Sequence, residues 1–555
     1  MTSKATQTKT DKPSLATRAM DAIERVGNKI PHPFWLFLIL ALIVLILSAI
    51  LGPLGISVDA PGEDEPVAIE SLLTVDNMRR IVVESISNFT GFPPLGIVLT
   101  VMLGVAVAEG SGMITAAVRL VVSKVSGRWL TFAIALTGVT GSLASDAIIV
   151  ILPPLAAMAY LAVGRSPLLG IGVGFSAVGA GFNASLVINA TDPLLAGIST
   201  SAAQIVEEDY VVSPLANIYF TVVSSIFLAA LITLVAERYV APRLEREAHD
   251  SPTGVTDDDQ QAGGHDQHDE HDQASSSQGT DSDAQDSSPS DALADAESLD
   301  DLALDDAERR GIRNAAIAGA VFVLAFCGAV AIPGSPLRAA DGTILTGPAL
   351  LSVSIIIALL FVVVGVAYGK TVGTLSSWSD LPAWMTSGMK DLAPVLVLFF
   401  AAAQFIAWFS WSNMGTVLAV VASDTIESLG VPEVVLFLAI ILMVYLLNLF
   451  ITSGSAQWTL MAPVLVPAMM LLDVQPGVTQ MLFRIGDSAS NIITPLNVYF
   501  ALMLTYLQRY RKDAGVGTLL SITLPVSVAI LVGWTAFFLL WYAVGLPLGP
   551  GVPSR

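Results

Sequence analysis

The chain of 555 residues is 54% hydrophobic and only 13% charged, with a mean hydropathy of +0.71. This composition excludes an ordinary water-soluble domain and indicates a membrane protein. The net charge of −21 arises in one segment, because residues 249–308 hold 19 of the 47 acidic residues and no Lys or Arg, which leaves 28 acids against 26 bases elsewhere. A basic nucleic-acid-binding surface is therefore excluded. The single cysteine, Cys327, excludes an intrachain disulfide.

The first membrane half is predicted to cover residues 34–240, after a basic cytoplasmic segment at 1–33. An apolar run of 18 residues is long enough to cross about 30 Å of hydrocarbon. Lys and Arg prefer cytoplasmic loops, so the basic N-terminal segment places the start of the chain inside. The predicted spans are 34–51, 93–120, 168–189 and 213–240.

A helical hairpin is predicted at about 129–163 within this half. Arg128 and Arg165 flank the apolar stretch and both prefer the cytoplasm, so the chain enters and leaves on one side. The middle of the stretch, from Thr140 to Asp146, is too polar to face lipid. These features predict a re-entrant hairpin with its tip buried in protein.

An acidic linker is predicted at 241–311. It is rich in Asp, Ser, Gln and Gly and has too little apolar area to fold alone, so we expect a disordered cytoplasmic segment. Metal binding by His265, His268 and His271 is an alternative, but a solvated polar tract is the favoured interpretation.

The second membrane half is predicted at 312–545, followed by a C-terminal tail at 546–555 on the outer side. A second hairpin, at about 434–472, is interrupted by a polar stretch at 448–457 and opens to the outside. The fold class is therefore an all-α polytopic membrane protein with about nine transmembrane helices and two re-entrant hairpins. The predicted spans of this half are 315–332, 350–367, 392–421, 478–507 and 519–544.

An internal repeat relates the two halves. Ser145 and Ser455 are each followed eight residues later by a proline, and each hairpin is followed by the string Asn-x-x-x-Pro-Leu, at Asn189 and at Asn491. By loop charge one hairpin opens inward and the other outward. Inverted repeats with broken helices form the midplane binding sites of secondary transporters.

Three charged residues within apolar segments are candidates for function, because a charge in hydrocarbon costs at least about 2.5 kcal/mol. Arg484 and Asp487 are three residues apart and share a helix face. Either the guanidinium binds a substrate carboxylate while Asp487 binds a cation or proton, or the two form a structural ion pair. Asp192 precedes a proline and either caps a helix or helps to coordinate a cation.

Polar and aromatic residues at the hairpins add further candidates. Ser145 and Ser455 supply oxygens of the kind that Na⁺ requires. Trp458 either packs in the core or provides a face on which an aromatic substrate stacks.

The strings Asn448–Trp458, Arg484–Ser488 and Asn491–Asn497, with Asn189–Pro193 in the first half, resemble the p-aminobenzoyl-glutamate transporter (AbgT) family. The resemblance covers most of residues 20–240 and 310–545 and implies a homodimer in the bacterial cytoplasmic membrane. It implies that several of these positions lie in the transport site or pathway. We assign substrate-binding roles to Asp192, Ser455, Trp458, Pro476, Arg484 and Pro495, and cation-binding roles to Ser145, Asn189, Asn448, Asp487 and Asn491.

The function expected from these features is secondary transport of p-aminobenzoyl-glutamate, or a related aromatic carboxylate, coupled to Na⁺ or H⁺ and without another cofactor. The resemblance supplies the substrate. Efflux of sulfonamide-type antimetabolites is the alternative. An ion channel, or an enzyme within the membrane, would be distinguished by single-channel currents or by chemical change of the substrate.

Overall fold

The computed structural model describes residues 31–60, 65–124, 129–141, 147–250, 304–344 and 347–554. The described chain is almost entirely helical, with one antiparallel pair of two-residue strands, β1 (Ser57–Val58) and β2 (Val67–Ala68). The helices up to the linker are α1 (Pro33–Leu51), α2 (Val75–Val83), α3 (Ser85–Thr90), α4 (Pro93–Gly110), α5 (Met113–Lys124), α6 (Leu130–Thr140), α7 (Ala147–Ala162), α8 (Pro167–Ala180), α9 (Thr191–Ala203), α10 (Ile218–Val235) and α11 (Ala241–Asp250). The others are α12 (Asp306–Ala331), α13 (Pro348–Leu351), α14 (Val353–Val372), α15 (Asp380–Asp391), α16 (Ala393–Trp411), α17 (Met414–Ser428), α18 (Glu433–Asn448), α19 (Gly454–Met470), α20 (Pro476–Ser490), α21 (Val498–Tyr510) and α22 (Val516–Val544).

Seven helices in the described ranges are long and apolar enough to cross a membrane: α1, α4, α10, α12, α14, α16 and α22. Their apolar residues surround the whole helix, which is the pattern of helices that contact lipid and protein on opposite faces. Shorter apolar helices, including α6, α7, α8 and α18, pack among them. The polytopic all-α class predicted from the sequence is confirmed, and the count of nine spans stays a prediction.

The order of elements in the first half recurs in the second. In each half a long helix (α1 or α14) and short helices precede a broken helix (α4–α5 or α16–α17). Two helices that form a hairpin follow (α6–α7 or α18–α19). Two helices joined by a break (α8–α9 or α20–α21) and a final long helix (α10 or α22) complete the series. The first breaks follow Gly110 and Trp411, where Gly112 and Asn413 have φ of 82° and 57°. Left-handed backbone at these positions ends one helix and redirects the next.

The second arm of each hairpin contains two prolines, Pro153 and Pro154 in α7 and Pro463 and Pro467 in α19. Proline inside a helix removes a backbone hydrogen bond and frees a carbonyl. Both arms are mostly buried against other helices, where the freed groups avoid lipid.

The two hairpins open at opposite ends of α10. At the start of α10, Phe220 packs on Trp541 near the end of α22, and Tyr542 there donates a hydrogen bond to Glu433, the first residue of hairpin 2. At the far end, Glu237 accepts a bidentate ion pair from Arg165, which follows hairpin 1. The 17 residues between Phe220 and Glu237 span about 25 Å of helix. The inverted sense of the two hairpins relative to the membrane stays a prediction.

Close packing between α4 and α14 depends on small residues. A Cβ at Gly104 would meet the backbone of Ala358, and one at Gly365 would meet the backbone of Val107 and Ala108. Such contacts are typical of helix pairs in membranes, where dispersion replaces the hydrophobic effect as the attraction between helices.

Both ends of the segment predicted as a disordered linker, 241–311, are helical. The long helix α10 continues through a π-helical turn at Ala236–Val240 into α11. At the other end, Asp305 and Glu308 form a reciprocal capping box that starts α12. The predicted segment is therefore helical where its two ends are described, and its extent as a linker stays a prediction. The remainder of the linker, with His265, His268 and His271, lies outside the described residues.

Candidate functional site

A cavity of about 350 Å³ lies where the two hairpins meet the breaks that follow α8 and α20. Its walls combine apolar and aromatic side chains with amides and hydroxyls. The lining residues are Ile149, Val178, Gly179, Phe182, Asn183, Thr191, Leu194, Leu195, Thr452, Ser453, Gly454, Ser455, Phe483, Asp487, Asn491, Asn497 and Tyr499.

Four helices begin at this cavity. Ile149, Thr191 and Gly454 lie in the first turns of α7, α9 and α19, and Tyr499 is the second residue of α21. The N-terminus of a helix carries a partial positive charge and free N–H groups, which favour anions. Side chains satisfy some of these groups, since Ser453 accepts from the N–H of Ala456 at 3.4 Å.

Helix C-termini meet at the same region. Asp487 lies in the last turn of α20 and Asn491 directly follows it, while Asn183 lies three residues beyond α8. Asn448 is the last residue of α18. Helix C-termini carry partial negative charge and favour cations. The cavity therefore combines groups that favour anions with groups that favour cations. The two sets adjoin, since Asn497, which precedes α21, donates from Nδ2 to the carbonyl of Asn491 at 3.1 Å.

Asp487 is the centre of the polar network on the second side, and it is fully buried. Its Oδ2 accepts hydrogen bonds from Asn183 Nδ2 at 2.6 Å and from Asn491 Nδ2 at 3.3 Å. Asn448 Nδ2 donates to the carbonyl of Asp487 at 3.0 Å and to Asn491 Oδ1 at 2.8 Å. The Oδ1 atoms of Asp487, Asn183 and Asn448 are buried and accept no hydrogen bond from the described residues.

Gly454 at the tip of hairpin 2 faces the same carboxylate. A Cβ at this position would lie 3.3 Å from Asp487 Oδ1 and 3.4 Å from Oδ2. The absence of a side chain leaves room beside the oxygen that has no partner. Glycine is used where a ligand or another group must approach the backbone closely.

Arg484 forms its ion pair with Asp192 and not with Asp487, which was one of the two alternatives from the sequence. Its Nη1 donates to Asp192 Oδ1 at 2.7 Å and to the carbonyl of Asn183 at 3.4 Å. The side chain of Arg484 is 1% exposed and that of Asp192 is 9% exposed. Asp192, although distant in sequence, lies in the first turn of α9 opposite the guanidinium. Neither residue is among the lining residues of this cavity, and the substrate-binding role of Arg484 stays a prediction.

A hydrogen-bonded chain extends from Arg484 to Trp458. With the Gln480 amide oriented to donate to Ser199 Oγ at 2.9 Å, its oxygen accepts from Arg484 Nη2 at 3.0 Å and from Nε at 3.3 Å. Trp458 Nε1 also donates to Ser199 Oγ, at 3.0 Å. The indole is fully buried and packs on Phe483, with 4.7 Å between ring centroids. Trp458 thus supports the cavity wall from behind.

Comparison with known proteins identifies the family to which this architecture belongs. The AbgT transporter family model matches residues 18–274 and 286–555. The p-aminobenzoyl-glutamate transport protein of Escherichia coli (strain K12) is 35% identical over 534 residues, which is 96% of each chain. The chain belongs to the AbgT transporter family.

Two solved structures of AbgT transporters share the fold. The crystal structure of the YdaH transporter of Alcanivorax borkumensis matches with a TM-score of 0.80 and 35% identity over 94% of this chain and 100% of that chain. The structure of MtrF of Neisseria gonorrhoeae, described as illuminating a class of antimetabolite efflux pumps, matches with a TM-score of 0.83 and 34% identity over 97% and 100%. The resemblance inferred from the sequence motifs is confirmed, and the protein is a multi-pass membrane transporter.

The residues assigned from the AbgT resemblance are distributed unevenly around the cavity. Ser455, Asp487 and Asn491 line it, and the residues connected behind it are Asn448, Asp192, Arg484 and Trp458. Ser145 lies outside the described residues. The residues away from the cavity lining are Asn189, Pro476 and Pro495.

Those three have visible structural positions. Asn189 Oδ1 accepts from the N–H groups of Thr191 and Asp192 at 3.0 and 3.2 Å, and so caps the start of α9. Pro476 is the first residue of α20, three turns from Asp487. Pro495 lies in the break between α20 and α21, where a proline cannot continue a helix.

Polar site residues that were missed from the sequence include Asn183, Ser199, Gln480, Asn497 and Tyr499. Gln480 lies one turn before Arg484 on the same helix face, which is a usable signal. Asn497 ends a string that carried the family resemblance, and Asn497 Oδ1 caps α21 by accepting from Tyr499 N at 3.0 Å. Asn183 and Ser199 have no local signal, because their contacts are with residues about 260–300 positions away.

Proposed function

We propose that the protein is a secondary transporter that couples movement of p-aminobenzoyl-glutamate, or a related aromatic carboxylate, to Na⁺ or H⁺. The observation that carries this proposal is a cavity that brings two kinds of group together. Helix N-termini favour a carboxylate, and Asp487 with its amide neighbours favours a cation. The 35% sequence identity to the Escherichia coli p-aminobenzoyl-glutamate transport protein supports p-aminobenzoyl-glutamate as the substrate.

The dimensions and walls of the cavity fit an aromatic acid. Its volume of about 350 Å³ is at the lower end of the range of ligand pockets, roughly 300–1,000 Å³. Phe182, Phe483 and Tyr499 provide aromatic walls for an aryl ring. Ser455 and Asn497 provide polar groups beside the helix N-termini. These three rings line the cavity and are candidates on which the aryl ring of the substrate stacks. Trp458 is enclosed behind Phe483.

Uptake into proteoliposomes tests this function. Labelled p-aminobenzoyl-glutamate is supplied under an imposed Na⁺ gradient, an H⁺ gradient, both, or neither, and the internal label is recovered and analysed chemically. We expect saturable accumulation of unchanged substrate that depends on one gradient. Accumulation without any gradient dependence would contradict coupling, and a single-channel current with the same selectivity would indicate a channel instead.

Alternating access requires that the two hairpins open to opposite sides. Val163 and Leu429 lie beside the two openings and are 40% and 70% exposed. Each is changed to Cys in a Cys327→Ala background and labelled with an impermeant thiol reagent in right-side-out and inverted vesicles. Labelling of both positions from one side would contradict this mechanism.

Efflux of sulfonamide-type antimetabolites is a second candidate, which the 34% identity to MtrF over its full length favours. Sulfonamides share the aromatic amine with p-aminobenzoyl-glutamate but have no carboxylate. Transport into inverted vesicles under an ion gradient of the opposite direction distinguishes efflux from uptake. Accumulation of sulfonamide alone would favour efflux, whereas competition between the two compounds would assign them to one cavity.

The assembly is proposed to be a homodimer in the bacterial cytoplasmic membrane, with the N-terminus inside and the C-terminus outside. Helix α12 supports this proposal, because only 17% of its apolar window is buried within the chain. Crosslinking at exposed positions of α12 in membranes is expected to produce dimers, and purely monomeric protein in mild detergent would contradict the assembly.

A further inference from the structure

A groove of about 880 Å³ lies apart from the candidate cavity and shares no lining residue with it. Its walls come from α12 and α14, from the first turns of α10, from Met113 at the start of α5, and from the break between α8 and α9 at residues 186–188. Every described lining residue is apolar. Water does not fill apolar space of this kind, because it finds no polar partners there. The groove therefore fits an apolar occupant.

The groove runs along the membrane-spanning part of its helices. The three long helices that line it, α10, α12 and α14, are all apolar and long enough to cross a membrane. On α12 its lining extends from Ile312 to Leu324, which is about 18 Å of helix. The hydrocarbon of one leaflet is about 15 Å thick, half of the whole bilayer core. The length and chemistry of the groove therefore match an acyl chain of one leaflet.

Two arginines of α12 lie at the end of the groove marked by Ile312, which we call its mouth. Successive helix residues turn by about 100°, so Arg309 lies on the same face as Ala316 of the groove, and Arg313 follows Arg309 by one turn. Both arginines are exposed, and neither forms an ion pair with a described residue. The neighbouring Glu308 is already paired with Arg119 at 2.9 Å.

We propose that this groove binds an anionic phospholipid, with an acyl chain along α12 and the phosphate at Arg309 and Arg313. Basic pockets between membrane helices bind anionic headgroups. A guanidinium suits a phosphate because it donates two parallel hydrogen bonds, and its long side chain reaches from the helix to the level of the headgroups. The proposal is independent of the transported substrate, since the lipid is bound outside the candidate cavity.

A second copy of the chain is a less suitable occupant of the groove. Ile317 and Val321 are 56% and 60% exposed and do not line the groove. They are turned by about 100° from the groove residues Ala316 and Ala320, so this flank of α12 stays available for the proposed contact between subunits. An apolar contact between two chains would also leave the arginines at the mouth without a partner, whereas a lipid phosphate provides one.

Lipid binding to the purified full-length protein tests the proposal. The protein is delipidated in mild detergent and titrated with dioleoyl phosphatidylglycerol or dioleoyl phosphatidylcholine, and bound lipids are counted by native mass spectrometry. We expect tighter binding of phosphatidylglycerol. Arg309→Gln with Arg313→Gln is expected to weaken it roughly thirtyfold, because each arginine near an anionic headgroup contributes about fivefold. Arg309→Lys with Arg313→Lys keeps both charges and is expected to retain most of the affinity.

Matched variants separate charge from bulk. Arg310→Gln removes a charge from the same turn, but Arg310 is turned by about 100° from Arg309, away from the groove, so the affinity is expected to stay unchanged. Ala320→Trp fills the groove and is expected to weaken binding of both lipids. Val321→Trp adds the same bulk on the neighbouring flank and is expected to leave both affinities unchanged. Size-exclusion profiles and melting curves verify that each variant is folded.

Equal affinity of the unmodified protein for the two lipids would overturn the headgroup site, and so would unchanged phosphatidylglycerol affinity in the folded double Gln variant. Displacement of phosphatidylglycerol by inorganic phosphate would identify a site for free phosphate in place of a lipid site. Unchanged lipid binding in Ala320→Trp, together with loss of a dimer, would show that a second copy covers the groove.

Discussion

The ion pair between Arg484 and Asp192 gives a quantitative prediction for stability. Replacing Arg484 with Met removes a guanidinium that is 1% exposed and leaves Asp192, 9% exposed, without its partner at 2.7 Å. It also removes the N–H groups that donate hydrogen bonds to the side-chain oxygen of Gln480. Breaking a buried ion pair by removing one partner costs about 3–5 kcal/mol. We therefore expect Arg484→Met to destabilise the protein by about this amount.

The double variant Arg484→Met with Asp192→Asn separates the pair from its surroundings. The Asn side chain still accepts the hydrogen bond that Asn189 N donates to Asp192 Oδ2 at 2.9 Å, so the start of α9 stays capped. A neutral pair in place of a buried ion pair is often close to neutral in stability. We expect the double variant to recover at least about 2 kcal/mol, or roughly thirtyfold in the unfolding equilibrium.

Equilibrium unfolding in bicelles, followed by tryptophan fluorescence, measures both variants against the unmodified protein. The single variant Asp192→Asn completes the double-mutant cycle and gives the coupling energy directly. A double variant no more stable than Arg484→Met alone would refute the argument that the cost comes from the unpaired Asp192 carboxylate.

Three further predictions concern the hairpin tip, the buried indole and the linker. Gly454→Ala places a Cβ 3.3 Å from Asp487 Oδ1, so we expect weaker Na⁺ binding in a folded protein, and unchanged Na⁺ affinity would contradict the crowding. Trp458→Phe loses the donor to Ser199 and is expected to cost about 1 kcal/mol in unfolding, whereas no change would show that the hydrogen bond is dispensable. Replacing residues 251–303 with a flexible Gly/Ser linker is expected to leave uptake within a few-fold of normal, because this acidic, polar composition cannot form a packed core. Loss of folded protein would contradict that expectation.

Hydropathy and loop charge predict the membrane class and most helix positions, because a bilayer restricts spanning segments to long apolar helices. The first span, predicted at 34–51, is observed at Pro33–Leu51. The helix start at the end of the acidic segment has a local cause. The pair Asp305 and Glu308 has the spacing of a capping box, which predicts a helix start within a composition that otherwise favours disorder.

The candidate site was predictable only where the signal is local. Ser455, Asp487 and Asn491 belong to polar interruptions of apolar segments, and these three residues line the cavity. The partner of Arg484 was not predictable from spacing, since a helix offers Asp487 three residues away while the fold brings Asp192 from 292 residues away. Long-range pairing depends on how the two halves pack, which no local pattern encodes.

The positions of the charges explain how coupling can arise without a cationic side chain in the cavity. Because Arg484 and Asp192 neutralise each other behind the wall, the charge inside the cavity is set by Asp487. A carboxylate substrate and Asp487 cannot occupy the cavity together without a compensating cation, whereas the cation can bind alone. Substrate affinity is then linked to cation affinity, and linkage requires that each ligand increases the affinity for the other. The proposed coupling therefore requires only one uncompensated carboxylate, and exchanging it for a neutral amide is expected to uncouple binding of the two ligands.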